Sequence, residues 1–252
     1  MNHPFLLLLI SCTISVQAMF KPIRHVYYGG GDNCEESKTT TTTSGASTTM
    51  KWEYSCEPGW KTFQRTPSVY NDNTGIWCVK FVPAPSKKNI SINEAETLCK
   101  ENNGELTAFE NENERSEILV EAQKYMINEL ERSSGAIAIA GKSVAECKSM
   151  TSKLPEICSD NTKAYTLPES SKTNPQFLWE NWVTNEPSFN KWTYDIEECL
   201  QMFIFASNTT GGNGKINDFY CRFETSPSEV KNQRYWNFGA LCGQAPGIES
   251  TG

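Results

Sequence analysis

In the second half of the chain, Glu186, Glu197, Asn217 and Asp218 bring three carboxylates and an amide into a stretch of polar loops and short apolar runs. Such oxygens serve either proton transfer or the binding of hydroxyls and hard cations. Proton transfer is poorly served here. Glu197 and Glu198 are adjacent, and successive side chains on a strand point to opposite faces, so they make a poor acid/base pair. Once an N-terminal leader is removed, His25 is the remaining histidine, and no serine or cysteine lies near it in a folded segment to be activated as a nucleophile. Gly211-Gly212-Asn213-Gly214-Lys215 looks superficially like a phosphate cradle but lacks the P-loop spacing and the Ser/Thr after the lysine, so it reads as a turn. No catalytic residue is expected, and the chain is read as a binder rather than an enzyme.

The cysteines set the compartment and the framework. Phe5–Ile10 is an apolar core too short to cross a bilayer as a helix, which needs ~20 residues, and Val16-Gln17-Ala18 offers a cleavage site. The first eighteen residues are therefore expected to be a secretory leader, with the mature chain starting at Met19. Of ten cysteines, removing Cys12 leaves nine: Cys34, Cys56, Cys78, Cys99, Cys147, Cys158, Cys199, Cys221 and Cys242. None lies in Cys-x-x-Cys spacing, which argues against zinc, and secretion makes disulfides the default. No later segment reaches membrane-spanning length, so membrane insertion is not expected, and residues 243–252 form a small, polar tail. A formal net charge of -7 disfavours nucleic acid and anionic lipid as partners, both of which draw on clustered Lys and Arg.

The elements that must position these groups follow from pattern. Residues 19–55 read as an N-terminal segment and linker, because Glu35–Thr49 is Thr/Ser-rich without apolar periodicity. Cys56 to Phe63 and Ile76 to Val82 flank a stretch rich in Pro, Asn and Gly, which predicts a hairpin with an expanded loop and a Cys56–Cys78 bond across it. Ser91-Ile92-Asn93-Glu94 is a capping box, so a helix starts there, with Ile92, Ala95, Leu98 and Cys99 on one face. A second helix covers Glu112 to Leu130, with Ile118, Leu119, Ala122, Tyr125 and Met126 inward and the charged residues between them in solvent. Strands are expected at Ala136–Ala140, Phe177–Trp179, Leu200–Phe205, Ile216–Arg222 and Phe238–Cys242. Helices followed by short strands and long polar loops make an α+β fold, and loops longer than about fifteen residues are usually functional or disordered.

The order Cys99, Phe177-x-Trp179-x-x-Trp182, Glu186-Pro187, Glu197-x-Cys199, Asn217-Asp218, Cys221, Cys242 resembles the C-type lectin-like domain. Cys56 and Cys78 with Gly59-Trp60-x-x-Phe63 between them resemble its long form, and the Ser/Thr-rich lead-in resembles secreted nematode C-type lectins. The resemblance covers 56–242. It implies two helices with short antiparallel sheets and a long loop region, stapled by Cys99–Cys242, Cys199–Cys221 and an additional Cys147–Cys158. Each such bond contributes roughly 2–5 kcal/mol in chain-entropy estimates. Cys34 is left over, and a disulfide-linked homodimer through it is one expectation, capping by a small thiol the other.

The resemblance also implies a ligand set for calcium, which takes six to eight oxygens: Glu186, Glu197, Asn217 and Asp218, shared between ion and sugar hydroxyls. Two departures bear on this reading. The family's core Trp-Ile-Gly appears as Ile139-Ala140-Gly141, which affects packing, whereas Ser188 stands where an Asn or Asp usually follows the proline and is shorter and neutral. Asn190 is the candidate to replace the missing amide. Phe189, Trp192 and Tyr194 either stack on a sugar or pack within the loop. The expected function is a secreted, calcium-dependent binder of glycans or glycoproteins, by fold-level analogy of microbial surfaces in innate immunity. The alternative is a calcium-independent lectin-like module that binds protein or acts structurally. Asn89-Ile90-Ser91 and Asn208-Thr209-Thr210 are N-glycosylation sequons.

Overall fold

The computed structural model describes residues 51–148, 153–192, 195–222 and 236–251, so the leader, Cys34, the Thr-rich tract and Tyr194 lie outside the described residues. In chain order the first elements are β1 (Lys51–Ser55), β2 (Lys61–Gln64), β3 (Ile76–Pro83), α1 (Ile92–Glu101), β4 (Glu105–Leu106) and α2 (Glu112–Asn128). Then come β5 (Ser134–Ser143), β6 (Tyr165–Thr166), α3 (Gln176–Trp179) and β7 (Lys191–Trp192). The last are β8 (Asp195–Phe205), β9 (Ile216–Tyr220), β10 (Asn237–Gln244) and β11 (Gly247–Thr251). The class is α+β.

The main sheet runs β2-β3-β10-β5-β8-β7, with β4 on β10, β6 on β5 and β9 on β8. Its pairs are antiparallel except β10 with β5, which is parallel. α1 forms where the capping box predicts: Ser91 Oγ accepts from Glu94 N at 3.1 Å, and Ser91 N donates to Glu94 Oε2 at 2.7 Å. It buries Ile92, Ala95, Leu98 and Cys99 against the sheet. The helix stops at Asn102-Asn103, where Asn103 takes the left-handed φ of 62° that an Asn tolerates. Four disulfides close Cys56–Cys78, Cys99–Cys242, Cys147–Cys158 and Cys199–Cys221. The second of these ties α1 to the central strand β10.

Three expectations are corrected. Phe177-Leu178-Trp179 is not a strand but lies in the single-turn helix α3. Asn174 Oδ1 accepts from Gln176 N at 3.1 Å and Trp179 N donates to Pro175 O, so an Asx turn followed by proline starts a helical turn in a run too short for periodicity to decide. Glu114, placed in solvent by its charge, is fully buried, because Arg65 from the β2–β3 loop reaches it through Nε at 2.7 Å and Nη2 at 2.8 Å. Finally, β1 and β11 lie in the stretches read as linker and tail. They pair with each other from Lys51↔Thr251 to Ser55↔Gly247, and side by side the two strands satisfy each other's backbone groups.

Candidate functional site

Glu197 and Asp218 come from neighbouring strands. Leu200 pairs with Asp218 and Glu197 with Tyr220, and the ladder slips between Glu197 and Cys199. In an unbroken strand, Glu197 and Leu200 would face opposite ways. The bulge adds one residue and turns Glu197 to the face that carries Asp218 and Tyr220. The Cys199–Cys221 bond fastens the two strands beside this point. Asp218 is completely buried and Glu197 nearly so.

The loop after α3 folds down onto these carboxylates. The Glu186–Pro187 peptide is cis, and Asn185 and Phe189 have left-handed φ of 69° and 49°. Ser188 bridges the acids: its N donates to Asp218 Oδ1 at 3.2 Å and its Oγ to Glu197 Oε2 at 2.9 Å. Phe189 N donates to Asp218 Oδ2 at 2.8 Å, and Asn190 N to Glu197 Oε2 at 3.0 Å. Asn217 turns its Nδ2 onto the Asp218 main-chain oxygen. Glu186 is half-buried with its Oε2 enclosed beside the Asp218 carboxylate, and among the described residues that atom has no hydrogen-bond partner.

Tyr165 was missed by sequence reasoning. From β6 its hydroxyl reaches Asp218 Oδ2 at 3.0 Å and the Glu197 main-chain oxygen at 3.1 Å. Its ring stacks on Phe189 with centroids 5.4 Å apart and touches Trp182, which in turn stacks on Trp179. Of the two alternatives for the loop aromatics, Phe189 thus takes the packed one; the side chain of Trp192 lies outside the described residues. The only signal for Tyr165 in the sequence is a lone aromatic in a long polar loop.

Burial and crowding of like charge dominate the electrostatics. Burial first, then the neighbouring Asp218 carboxylate, pushes Glu186 up to about 8. Glu197 is pushed up to about 7 by burial and then by the Asp218 charge, against the lowering effect of the Ser188 and Asn190 donors. Burial and Asp218 also raise Tyr165, and burial and Glu197 raise Tyr220 to about 12. A Glu186 carboxyl that keeps its proton can donate it to Asp218, which supplies the partner its Oε2 otherwise lacks.

The sequence-implied residues Glu186, Ser188, Asn190, Glu197, Asn217 and Asp218 are therefore gathered in one place. They are not arranged as a calcium shell. Both Asp218 oxygens and the Glu197 Oε2 already accept from internal donors, the Ser188 hydroxyl is given to Glu197, and the Asp218 main-chain oxygen accepts from Asn217. Among the described residues no three His, Cys, Asp or Glu side chains are grouped so as to hold an ion. As folded, the site does not fit the six to eight free oxygens that calcium takes.

The model of the C-type lectin domain-containing protein 141/158 family matches residues 62–245. Over 204 residues the chain is 37% identical to C-type lectin domain-containing protein 141 of Caenorhabditis elegans, a match covering 76% of this chain and 66% of that protein, just under two thirds of it. It is 32% identical over 196 residues to C-type lectin domain-containing protein 158 of the same organism, covering 76% of this chain and 89% of that protein. Among solved structures it is similar to a calcium-independent type II antifreeze protein, at 14% identity and a TM-score of 0.42, covering 77% of this chain and 97% of that one.

Proposed function

Because the chain belongs to the C-type lectin domain-containing protein 141/158 family, we propose that it is a secreted, extracellular glycan-binding module whose binding loop is organised without calcium. The observation that carries this reading is Ser188. By giving its N–H to Asp218 and its hydroxyl to Glu197, it ties the loop to both buried carboxylates through the protein's own hydrogen bonds. The rim of that loop offers the half-buried Glu186 and the exposed Asn190, an acceptor and an amide of the kinds that neutral sugar hydroxyls engage. Glycans of microbial surfaces, in innate defence, are the ligand class assigned by analogy of fold. Catalysis has no part in this reading.

Among the described residues no helix is long and apolar enough to cross a membrane, and the four disulfides suit an oxidising compartment. Single sugar sites bind weakly, so a covalent dimer through Cys34 supplies avidity in this reading. A nonreducing gel of the secreted chain showing monomer alone removes that element.

The test is glycan-array binding of the full chain with calcium and with a chelator, beside a calorimetric calcium titration. Signals that survive the chelator, with no heat of calcium binding, support the proposal. Chelator-sensitive signals, with calcium heat that disappears in Glu197→Gln plus Asp218→Asn, overturn it in favour of the calcium-dependent mode. Binding to no glycan in either condition overturns the sugar reading and leaves a protein-binding or structural role.

A further inference from the structure

Asn208 lies at the surface in the turn between β8 and β9, yet its side chain is held. Its Oδ1 accepts from Gln123 Nε2 at 2.8 Å and from Asn213 Nδ2 at 3.1 Å, and Gln123 is itself anchored to the Phe205 main-chain oxygen at 2.5 Å. Both bonds use the carbonyl oxygen. The amide nitrogen, the atom that would carry a sugar, makes no hydrogen bond among the described residues and is free to point outward.

Gln123 sits on α2 three residues after Val120 and four before Ile127. Those two side chains, two turns apart on the same side of the helix, are 60% and 42% exposed. Of the other apolar positions of α2, Ile118, Ala122 and Met126 are buried in the core, and Leu119 and Tyr125 pack partly buried against it. An apolar pair is thus left on the outer face of α2 beside the residue that holds Asn208.

We infer that Asn208 carries an N-linked glycan whose first sugars lie over Val120 and Ile127. In the attachment step the Asn208 Nδ2 attacks C1 of an oligosaccharide borne on a lipid diphosphate. The Nδ2–C1 bond forms, the C1–O bond to the diphosphate breaks, and the proton lost from Nδ2 goes to the departing lipid diphosphate. The Asn208 carbonyl oxygen is not consumed, so both of its hydrogen bonds persist after attachment and fix the direction in which the first sugar leaves the turn. The apolar face of a pyranose ring can then cover the two aliphatic side chains.

The other sequon is placed differently. Asn89 is half-buried with its Oδ1 accepting from Arg132 Nη1 at 2.6 Å, and its Ser91 hydroxyl, nearly buried, is engaged in the α1 capping box.

The inference rests on the secretion reading, and the experiment separates the two. The full chain with its leader is expressed in cells with a eukaryotic secretory pathway, and the protein in the medium is treated with peptide N-glycosidase and mapped by mass. Conversion of Asn208 to aspartate is expected. Thr210→Ala removes the sequon while keeping Asn208 and its contacts, and Thr210→Ser keeps both. Thr210→Ala should bind several-fold more of an apolar-surface dye, and Val120→Ser plus Ile127→Ser should bring it back to the parent level; Thr210→Ser should match the parent throughout. Secreted protein with unmodified Asn208 overturns the inference alone. Retention in the cells with Asn208 unmodified overturns the secretion reading and the inference with it. Modified Asn208 with no change of dye binding in Thr210→Ala overturns the covering of α2.

Discussion

The Tyr165 hydroxyl lies 3.0 Å from Asp218 Oδ2 and 3.1 Å from the Glu197 main-chain oxygen, so one buried proton is placed between two acceptors from adjacent strands. Tyr165→Phe keeps the ring that stacks on Phe189 and removes only this donor. Because the acceptor is a carboxylate, the loss should be about 1.5–3 kcal/mol. A lower urea midpoint with an unchanged denaturant slope is the expected result; an unchanged midpoint would show that the hydroxyl contributes nothing to holding β6 on the site.

The raised carboxyls give the domain a pH dependence of definite sign. Glu186 rises from the usual 4.5 to about 8 and Glu197 to about 7, in both cases mainly through burial. The folded state therefore holds protons more tightly than the unfolded chain. This contribution is fully present below about pH 4.5 and is lost as pH rises through 7 to 8. Asp160 acts in the opposite sense, since the Lys163 and Thr162 donors hold it at about 2, and its contribution is lost only as pH falls toward that value. The melting temperature should be higher at pH 5.5 than at pH 8.5, and Glu186→Gln should flatten the difference. For a half-buried, partly screened group this amounts to on the order of 1 kcal/mol. A melting temperature that climbs between those pH values would refute the proton-held cluster.

Local chemistry was legible in the sequence where it acts over a few residues. The Ser91–Glu94 capping box, the apolar face of α1 and the strand runs around Ala136–Ala140 and Leu200–Phe205 all reappear, because backbone capping and alternation are short-range effects. What escaped depends on partners far along the chain. Glu114 looks like a solvent residue until Arg65, 49 positions earlier, is brought against it. The side of β8 that Glu197 faces is decided by a ladder slip that no local pattern announces. Tyr165 joins the site only because β6 pairs with β5 at Lys142↔Thr166 and Ser143↔Tyr165. The positions of the site acids were readable as a resemblance, but their hydrogen-bonding state depends on donors brought from elsewhere, Ser188, Phe189 and Asn190 of the loop and Tyr165 of β6.

The Arg65–Glu114 pair is a stability test of a different kind. Arg65 is enclosed by Glu114, the Ala108 and Lys172 main-chain oxygens and Thr173, with Glu110 at 3.7 Å. Glu114 also accepts from Glu110 N at 2.9 Å, so it closes the turn that leads into α2. Glu114→Gln leaves a buried guanidinium without its main counter-charge and should cost about 3–5 kcal/mol. Arg65→Met with Glu114→Met removes both charges and should recover part of that loss, the remainder reflecting the carbonyls that Arg65 served. Urea unfolding of the two variants decides it: a double variant less stable than Glu114→Gln would mean that the pair acts mainly through Arg65's backbone contacts and not as a compensated ion pair.

Gln201 presents the reverse situation. It lies on β8 between Ala138 and Asn217, completely buried, and among the described residues neither its Nε2 nor its Oε1 has a partner. A buried amide with nothing to bond leaves the cost of stripping its water unrecovered, typically about 1–3 kcal/mol for each polar group. Gln201→Met keeps the length and most of the volume while deleting both polar ends, and it should raise the melting temperature. The alternative is that water enclosed on this face completes the amide, as about three hydrogen bonds to such a water usually do. In that case methionine displaces the water without replacing its bonds, and the melting temperature falls. Asn237 sits on the same face of the sheet, opposite Ala136, and among the described residues both of its amide atoms are equally unpartnered. Asn237→Leu should therefore shift stability in the same direction as Gln201→Met, because a single enclosed water cluster or a single dry face governs both; opposite shifts would show that the two amides are satisfied in different ways.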